Sequence, residues 1–148
     1  MAPGEAAGRR RRADRNRDVD SLAHQIEQIV GGDEPQRERR VRFQHWGETN
    51  SAGQVTFTTI YPGWYAGRAT HIHVEVTRGG TSLKATQIAF PESTSSAVYA
   101  TGVYASRGSN PTSNSSDGIF RDSLDSETAT VTGDPGGGLN ATFRIALA

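Results

Sequence analysis

Short runs of alternating apolar and polar residues follow one another along the chain from residue 55 onward. They are VTFTTI (55–60), HIHVEV (71–76), LKATQIAF (83–90), TATVTG (128–133) and LNATFRIAL (139–147). Period-two alternation is typical of strands with one buried face. Turn sequences such as RGG, GSNP and GDPGGG separate the runs, and no helical pattern intervenes. The sequence therefore predicts an all-β fold, an antiparallel β-sandwich.

The first 42 residues have a different composition. They contain no tyrosine, phenylalanine or tryptophan, yet they hold ten of the 16 basic and eight of the 16 acidic residues. Their amphipathic stretch has the spacing of one short helix and consists of Leu22, Ile26, Ile29 and Val30. A segment of this kind buries little apolar surface. We predict a charged, disordered or weakly helical segment over residues 1–42 and a β-sandwich over 43–148, incomplete at its N-terminal strands.

Composition excludes several classes of function. The chain has no cysteine, so disulfides and thiolate chemistry are absent and any metal is held by nitrogen and oxygen donors. Residues 43–148 carry six basic and eight acidic side chains, which gives no basic face for nucleic acid. No stretch approaches the ~20 apolar residues of a membrane span. The arginines at 9–12 lack the apolar core of an export signal, so a cytoplasmic location is expected.

The run HIHVEV contains two candidate metal ligands. Residues i and i+2 of a strand point to the same face, about 6–7 Å apart. His71 and His73 should therefore project together, while Ile72 and Val74 face the core. Two imidazoles on one face can converge on a single metal ion. The alternative is a pair of solvated or hydrogen-bonded histidines on the polar side of a sheet.

Tyr65 and Arg68 lie shortly before this pair. Tyr65 follows a Pro-Gly sequence expected to turn its phenol back over the strand. Tyrosinate is a hard anionic donor and imidazole suits iron, so the set favours ferric iron, and a bound cation lowers the pKa of a phenol. Arg68 offers a fixed positive charge to an anionic ligand. Alternatively, Tyr65 is an aromatic side chain that packs at one end of the sandwich, and Arg68 is a solvated loop residue.

With these residues in place, the segment TIYPGWY–R–HIH resembles the iron-binding signature of the intradiol ring-cleavage dioxygenases. These are the catechol and protocatechuate dioxygenases, which use non-haem Fe(III). The resemblance continues through FPE, VYATGVYASRG, SNSSDGIF and TVTGDP, and so covers about residues 50–148. It implies metal ligands at Tyr65, His71 and His73. Arg68 matches the arginine that the family has three residues before its first histidine ligand, and Gln87, within TQ-x-x-F, matches a glutamine of the family's substrate pocket.

The resemblance implies a reaction in aromatic compound catabolism. Both atoms of O2 enter a catechol, and the ring opens between the two hydroxylated carbons to give a muconate-type diacid. In the family the substrate displaces the tyrosine corresponding to Tyr65, which can take a substrate proton. Arg68 would stabilise developing charge, and Gln87 would orient the substrate. The partners implied are a small catechol and O2. Whether the chain forms a homo-oligomer stays open.

One donor of the family pattern is missing from the sequence. The family's iron has four protein ligands, the first being a tyrosine some tens of residues before the second, and this sequence has no tyrosine before Tyr61. We expect weak metal retention as a consequence. A truncated or mis-started enzyme would explain the absence, as would a degenerate, non-catalytic β-sandwich that binds a ligand or partner. Alternatively, His24, His45 or a partner chain supplies the donor. A zinc site on the same histidines is a lesser rival.

Overall fold

The structure is a computed structural model that describes the backbone of residues 23–31 and 40–44 and the complete residues 45–147. Its elements in chain order are β1 (Ala23–Gly31), β2 (Arg40–Glu48), β3 (His71–Arg78), β4 (Thr81–Ala89), α1 (Glu92–Tyr99), a 3-10 turn (Gly102–Tyr104), α2 (Leu124–Glu127), β5 (Thr130–Asp134) and β6 (Gly138–Thr142). None of the helices in this described part is long and apolar enough to cross a membrane.

The strands form two small antiparallel sheets. One has the order β2-β1-β3-β4, and the other is the hairpin β5-β6. The structure is mostly strand with antiparallel pairing, as predicted. The fold is not all-β, however, since the helices α1 and α2 lie between β4 and β5, and the sandwich arrangement stays a prediction.

The hairpin of β3 and β4 sets the register of the candidate site. Gly79 and Gly80 join the strands with φ angles of 55° and 80°, values that glycine adopts without steric cost and that tight hairpin turns need. The register runs from the pair Arg78 and Thr81 to the pair His71 and Ala89. The RGG turn therefore lies where the sequence predicts it.

One face of β3 is buried in an apolar core. Ile72 and Val74 lie in a buried cluster with Phe90. The partly buried side chains packed against this cluster are Tyr61, Ile88, Val131 and Ile145. Since Val131 belongs to β5, the cluster joins the hairpin to the four-stranded sheet. Burial of this apolar surface stabilises the fold and leaves the opposite face of β3 for the histidines.

The helix predicted around Leu22–Val30 is wrong over the described residues Ala23–Gly31. This segment is the strand β1, and it lies between β2 and β3. Its first residues pair on both sides, for example Ile26 with His45 and with Val74. An isolated helix this short is marginal, so pairing to two strands outweighs the local helical spacing.

The boundary predicted between residues 42 and 43 falls inside β2, which runs from Arg40 to Glu48. Residues 1–22 and 32–39, including Leu22, lie outside the described residues. The division of the chain into two parts therefore stays a prediction.

The segment VTFTTI (55–60) does not pair into a sheet, contrary to the prediction. Val55 and Phe57 instead pack against Gly47 of β2, and the hydroxyl of Thr59 lies 3.0 Å from Nε2 of His45. The alternation of apolar and polar residues in this segment therefore reflects packing on the face of β2 rather than hydrogen bonding to a neighbouring strand. The last predicted strand is also shorter than expected, because β6 ends at Thr142.

Gly47→Ala should destabilise the protein. An added Cβ would lie 2.7 Å from Cγ2 of Val55 and 3.1 Å from Cε1 of Phe57, and such overpacking lowers the free energy of unfolding by about 1–3 kcal/mol. Urea unfolding measures the loss. Gly118→Ala is the control, since its Cβ would meet nothing within 4 Å. Equal midpoints for the two variants would contradict the packing of residues 55–57 on β2.

Candidate metal centre

The two histidines of β3 project to the same side, as the period-two pattern predicts. Nε2 of His71 lies 3.1 Å from Nε2 of His73, and their ring centroids are 4.9 Å apart. Ile72, between them, points into the core. The strand therefore brings two ring nitrogens to one point beside the sheet.

His71 is held in one tautomer. Its Nδ1 lies 2.6 Å from the carbonyl oxygen of Ala69, and because a carbonyl can only accept, Nδ1 carries the proton. Burial lowers the pKa of His71 to about 4, and the charges of Arg68 and His73 act in the same direction against the Ala69 hydrogen bond. The imidazole is therefore neutral at neutral pH, and the lone pair of Nε2 faces His73.

Tyr65 supplies an oxygen at the same place. Its hydroxyl oxygen lies 3.3 Å from Nε2 of His71, and the two ring centroids are 5.6 Å apart. The chain reverses between Tyr65 and Arg68, where the Arg68 N–H donates to the Tyr65 carbonyl at 3.3 Å. Gly67 takes a φ of 87° in this turn. The reversal thus follows Tyr65, whereas the sequence placed it earlier, at the Pro-Gly pair.

These three donors fit a metal ion with nitrogen and oxygen ligands. Donors that share one ion at about 2.0–2.1 Å lie roughly 3 Å apart, close to the 3.1 and 3.3 Å separations around His71. Within the described residues, no three histidine, cysteine, aspartate or glutamate side chains could hold a metal. The phenol of Tyr65 is therefore essential to such a set. The role of Tyr65, His71 and His73 as ligands stays a prediction.

Arg68 and Gln87 lie together beside the histidines. Nη2 of Arg68 donates to Oε1 of Gln87 at 2.5 Å, and Gln87 is the residue of β4 directly opposite His73. The Arg68 guanidinium also lies 5.7 Å from the ring centroid of Phe120. The structure thus brings all five predicted site residues into one cluster.

Asp117 is a member of this cluster that the sequence did not reveal. Its side chain is fully buried and accepts a hydrogen bond from Nε of Arg68 at 2.8 Å. Burial raises the pKa of Asp117, but hydrogen bonds from Ala69, Ile119, Arg68 and Phe120 outweigh it and hold the pKa below its usual value. The carboxylate is therefore charged. The SDG sequence that contains it signals only a turn.

Tyrosine hydroxyls fix the segment that leads into the site. Tyr99 donates to the carbonyl of Pro62 at 2.9 Å, and Tyr104 donates to the carbonyl of Tyr61 at 2.8 Å. The hydroxyl of Tyr61 lies 2.7 Å from Oγ of Ser95, away from the histidines. Tyr61 therefore packs against the core and is not one of the candidate donors.

Neither His24 nor His45 is paired with a candidate ligand in the strand register. His24 is opposite Val76, and His45 is opposite Ile26, which is itself opposite Val74. The register position of His45 is therefore in line with Val74, a residue of the apolar core.

Solved structures similar to this chain are dioxygenases. An intradiol ring-cleavage dioxygenase from Tetranychus urticae matches with a TM-score of 0.73 and 27% sequence identity, over 87% of this chain and 72% of that chain. The chain resembles the intradiol ring-cleavage dioxygenases in structure. A second dioxygenase crystal structure matches with a TM-score of 0.74 and 26% identity, over 87% of this chain and 71% of that one.

A bacterial dioxygenase domain is a more distant match. The dioxygenase domain of a dioxygenase carbohydrate-binding protein fusion from Streptomyces sp. SirexAA-E matches with a TM-score of 0.56 and 25% identity. The match covers 83% of this chain and 65% of that chain. No protein-family model matches the chain, and no curated protein does.

Tyr99→Phe should destabilise the frame of the site. The change removes the donor to the Pro62 carbonyl and the partner of the Thr70 hydroxyl, which lies 2.8 Å from the Tyr99 oxygen. Both Pro62 and Thr70 are buried, so unpaired polar atoms there cost about 1–3 kcal/mol of unfolding free energy. Tyr104→Phe is the control and should cost less, since water can replace the hydroxyl of the half-buried Tyr104. Chemical denaturation measures the unfolding free energy of both variants. A larger loss in Tyr104→Phe than in Tyr99→Phe would contradict the role of Tyr99.

Proposed function

We propose that this chain binds ferric iron through Tyr65, His71 and His73 and opens catechol-type rings between the two hydroxylated carbons. The observation that carries the proposal is the convergence of the Tyr65 oxygen and His73 Nε2 on Nε2 of His71, at 3.3 and 3.1 Å. Structural similarity to intradiol ring-cleavage dioxygenases supports it independently.

The donor chemistry favours ferric iron over softer metals. Two neutral imidazoles and one phenol contain no sulfur, and a phenolate is a hard anion that matches Fe(III). Ferric iron, when bound, would polarise the catechol oxygens and make the ring reactive toward O2. The Ala69 carbonyl orients the His71 ring by accepting from Nδ1, the support that metal-binding histidines need.

The remaining side chains suit an anionic aromatic substrate. Tyr65, as a phenolate, is a base whose oxygen can accept a proton from an incoming catechol hydroxyl. Arg68 places a positive charge beside the site with 18% of its side chain exposed, so it can stabilise negative charge that develops on the ring. Gln87, bonded to Arg68 and opposite His73, can orient the substrate.

The sandwich architecture and the partners belong to the same proposal. The core that joins β5 to β3 through Val131 and Val74 supports two packed layers. Similarity to dioxygenases supports O2 and a small aromatic substrate as partners. A cytoplasmic location and a homo-oligomer rest on sequence expectation alone.

A non-catalytic ligand- or partner-binding module is the rival. It is favoured by the donor set, which holds one phenol among the described residues where the family pattern has two tyrosines. With Tyr65 displaced, the described side chains of the site would keep two neutral nitrogens, those of His71 and His73. A zinc site on the same histidines is the other rival.

Iron loading should colour the protein. A phenolate bound to ferric iron absorbs visible light, whereas zinc or an empty site is colourless. We expect a visible band in the wild-type protein after anaerobic loading and oxidation, and its loss in Tyr65→Phe. Absorption spectra with iron analysis on the same samples measure both. A colourless, iron-free wild-type protein would exclude the proposed site.

Matched variants separate the site from general effects on folding. Tyr61→Phe should keep the band, since the Tyr61 hydroxyl faces Ser95. His73→Ala should weaken iron binding by at least about tenfold, the loss seen even when a ligand's support is removed. His45→Ala should leave it unchanged, because His45 contacts Thr59 on the other face. Equal losses in His73→Ala and His45→Ala would contradict the assignment.

Catechol should reveal how well the site retains iron. We expect slow oxygen uptake and a fall in protein-bound iron on catechol addition, because His71 and His73 are the donors that remain among the described side chains of the site when Tyr65 is displaced. Oxygen electrode traces and iron analysis after desalting give the two quantities. Rapid, stoichiometric uptake with iron retained would show that a further donor completes the site. Loss of all iron without any ring-cleaved product would favour the binding module.

A further inference from the structure

The carboxylate of Asp117 connects the two halves of the candidate centre. It is fully buried, and both of its oxygens are occupied. Oδ2 accepts from Nε of Arg68 at 2.8 Å and from the backbone N–H of Ala69 at 2.7 Å. Oδ1 accepts from the backbone N–H groups of Ile119 at 2.8 Å and Phe120 at 3.3 Å.

We propose that Asp117 is a positioning residue that sets the orientation of Arg68 directly and of His71 through Ala69. This inference rests on the proposed function, since it assigns Asp117 a part in the same site. One oxygen atom binds both the guanidinium and the residue whose carbonyl holds the imidazole. The charge-bearing group and the metal-binding group therefore share a single anchor.

The contacts of Arg68 leave its guanidinium little freedom. Nε is bonded to Asp117 and Nη2 to Gln87, so two points of a planar group are fixed. Both bonds have a charged donor, but only Asp117 adds the attraction of an opposite charge. The Asp117 contact is therefore the stronger of the two, and without it Arg68 would be held by Gln87 and by its position 5.7 Å from the Phe120 ring centroid.

Ala69 connects Asp117 to the orientation of the His71 ring. Its N–H binds Asp117, and its carbonyl accepts from Nδ1 of His71. The residue is itself buried and packs with Ala89 and Phe120. A shift of the Ala69 backbone would therefore move the acceptor that keeps Nε2 of His71 free of a proton.

Asparagine cannot replace this carboxylate. A carboxylate accepts at both oxygens, whereas an amide has one oxygen and one NH2 group. In either orientation of Asp117→Asn, one pair of N–H donors faces an NH2 group, so two buried donors lose their acceptor. The substitution is close in volume, and it removes the charge that Arg68 faces.

Asn114→Ala is the matched control. Asn114 is buried in the same loop, where its Nδ2 donates to the Phe90 carbonyl at 2.7 Å. Its backbone N–H bonds to Glu92, and none of these contacts involves Arg68 or Ala69. The control should destabilise the loop without altering the centre.

Nuclear magnetic resonance of the metal-free proteins at neutral pH tests the proposal without needing activity. The Arg68 Nε–H signal, assigned by its loss in Arg68→Lys, should exchange slowly in the wild type and at least about tenfold faster in Asp117→Asn, as expected for a lost buried hydrogen bond. The ring nitrogens of His71 should report one tautomer in the wild type and a mixture in Asp117→Asn. Asn114→Ala should match the wild type in both readouts.

A second experiment uses the iron-loaded protein. Asp117→Asn should weaken iron binding in the absence of catechol by roughly 10–100-fold, the usual effect of removing a contact that supports a metal ligand. An Asp117→Asn protein that matches Asn114→Ala in Arg68 exchange and His71 tautomer would overturn the proposal. If that variant does not fold, an unprotected Arg68 Nε–H in the folded wild type would overturn it instead. A colourless wild type would refute the proposed function, while the metal-free spectra would still decide the coupling through Asp117.

Discussion

The pleat of β3 determines on which side of the strand the apolar core and the candidate metal centre lie. Successive side chains of a strand point to opposite faces, and β3 uses this alternation to separate two tasks. Ile72 and Val74 enter the apolar core, and His71 and His73 face the candidate metal centre. A slip of one residue in the register would exchange the two sets. The tight Gly79–Gly80 turn and the antiparallel pairing to β4 fix that register.

The loop after the 3-10 turn completes the face that β3 exposes. Its buried carboxylate, Asp117, holds Arg68 and the backbone of Ala69, and Phe120 packs in the cluster of Ala69 and Ala89. The edge of the Phe120 ring lies near His71, with centroids 6.0 Å apart. A buried apolar ring and a largely buried ion pair thus lie close to the same imidazole. The arrangement limits water at His71 and favours its neutral form.

The chain resembles intradiol dioxygenases in structure. Among its described residues, however, the candidate site has one phenol where the family pattern has two. The three donors at Tyr65, His71 and His73 have separations suited to one ion, and the accompanying Arg68–Gln87 pair is assembled. A second phenolate is not among the described residues of the site. In the strand register His24 is paired with Val76, and His45 is paired with Ile26 rather than with a candidate ligand.

Features encoded within a few neighbouring residues could be predicted from the sequence. The common direction of His71 and His73 follows from backbone geometry, and the RGG turn follows from the conformational freedom of glycine. Prediction failed where distant segments meet. Residues 23–31 form a strand because β2 and β3 pair with them, and residues 55–60 pack on Gly47 without joining a sheet.

The sequence by itself determined the donor types and the pair of histidines on one strand face, because chain chemistry and the two-residue period require no tertiary contact. Only the tertiary structure decided that Asp117, 49 residues after Arg68, anchors the site. A buried carboxylate is stable where several N–H donors converge on it, and no local pattern specifies which distant donors those will be.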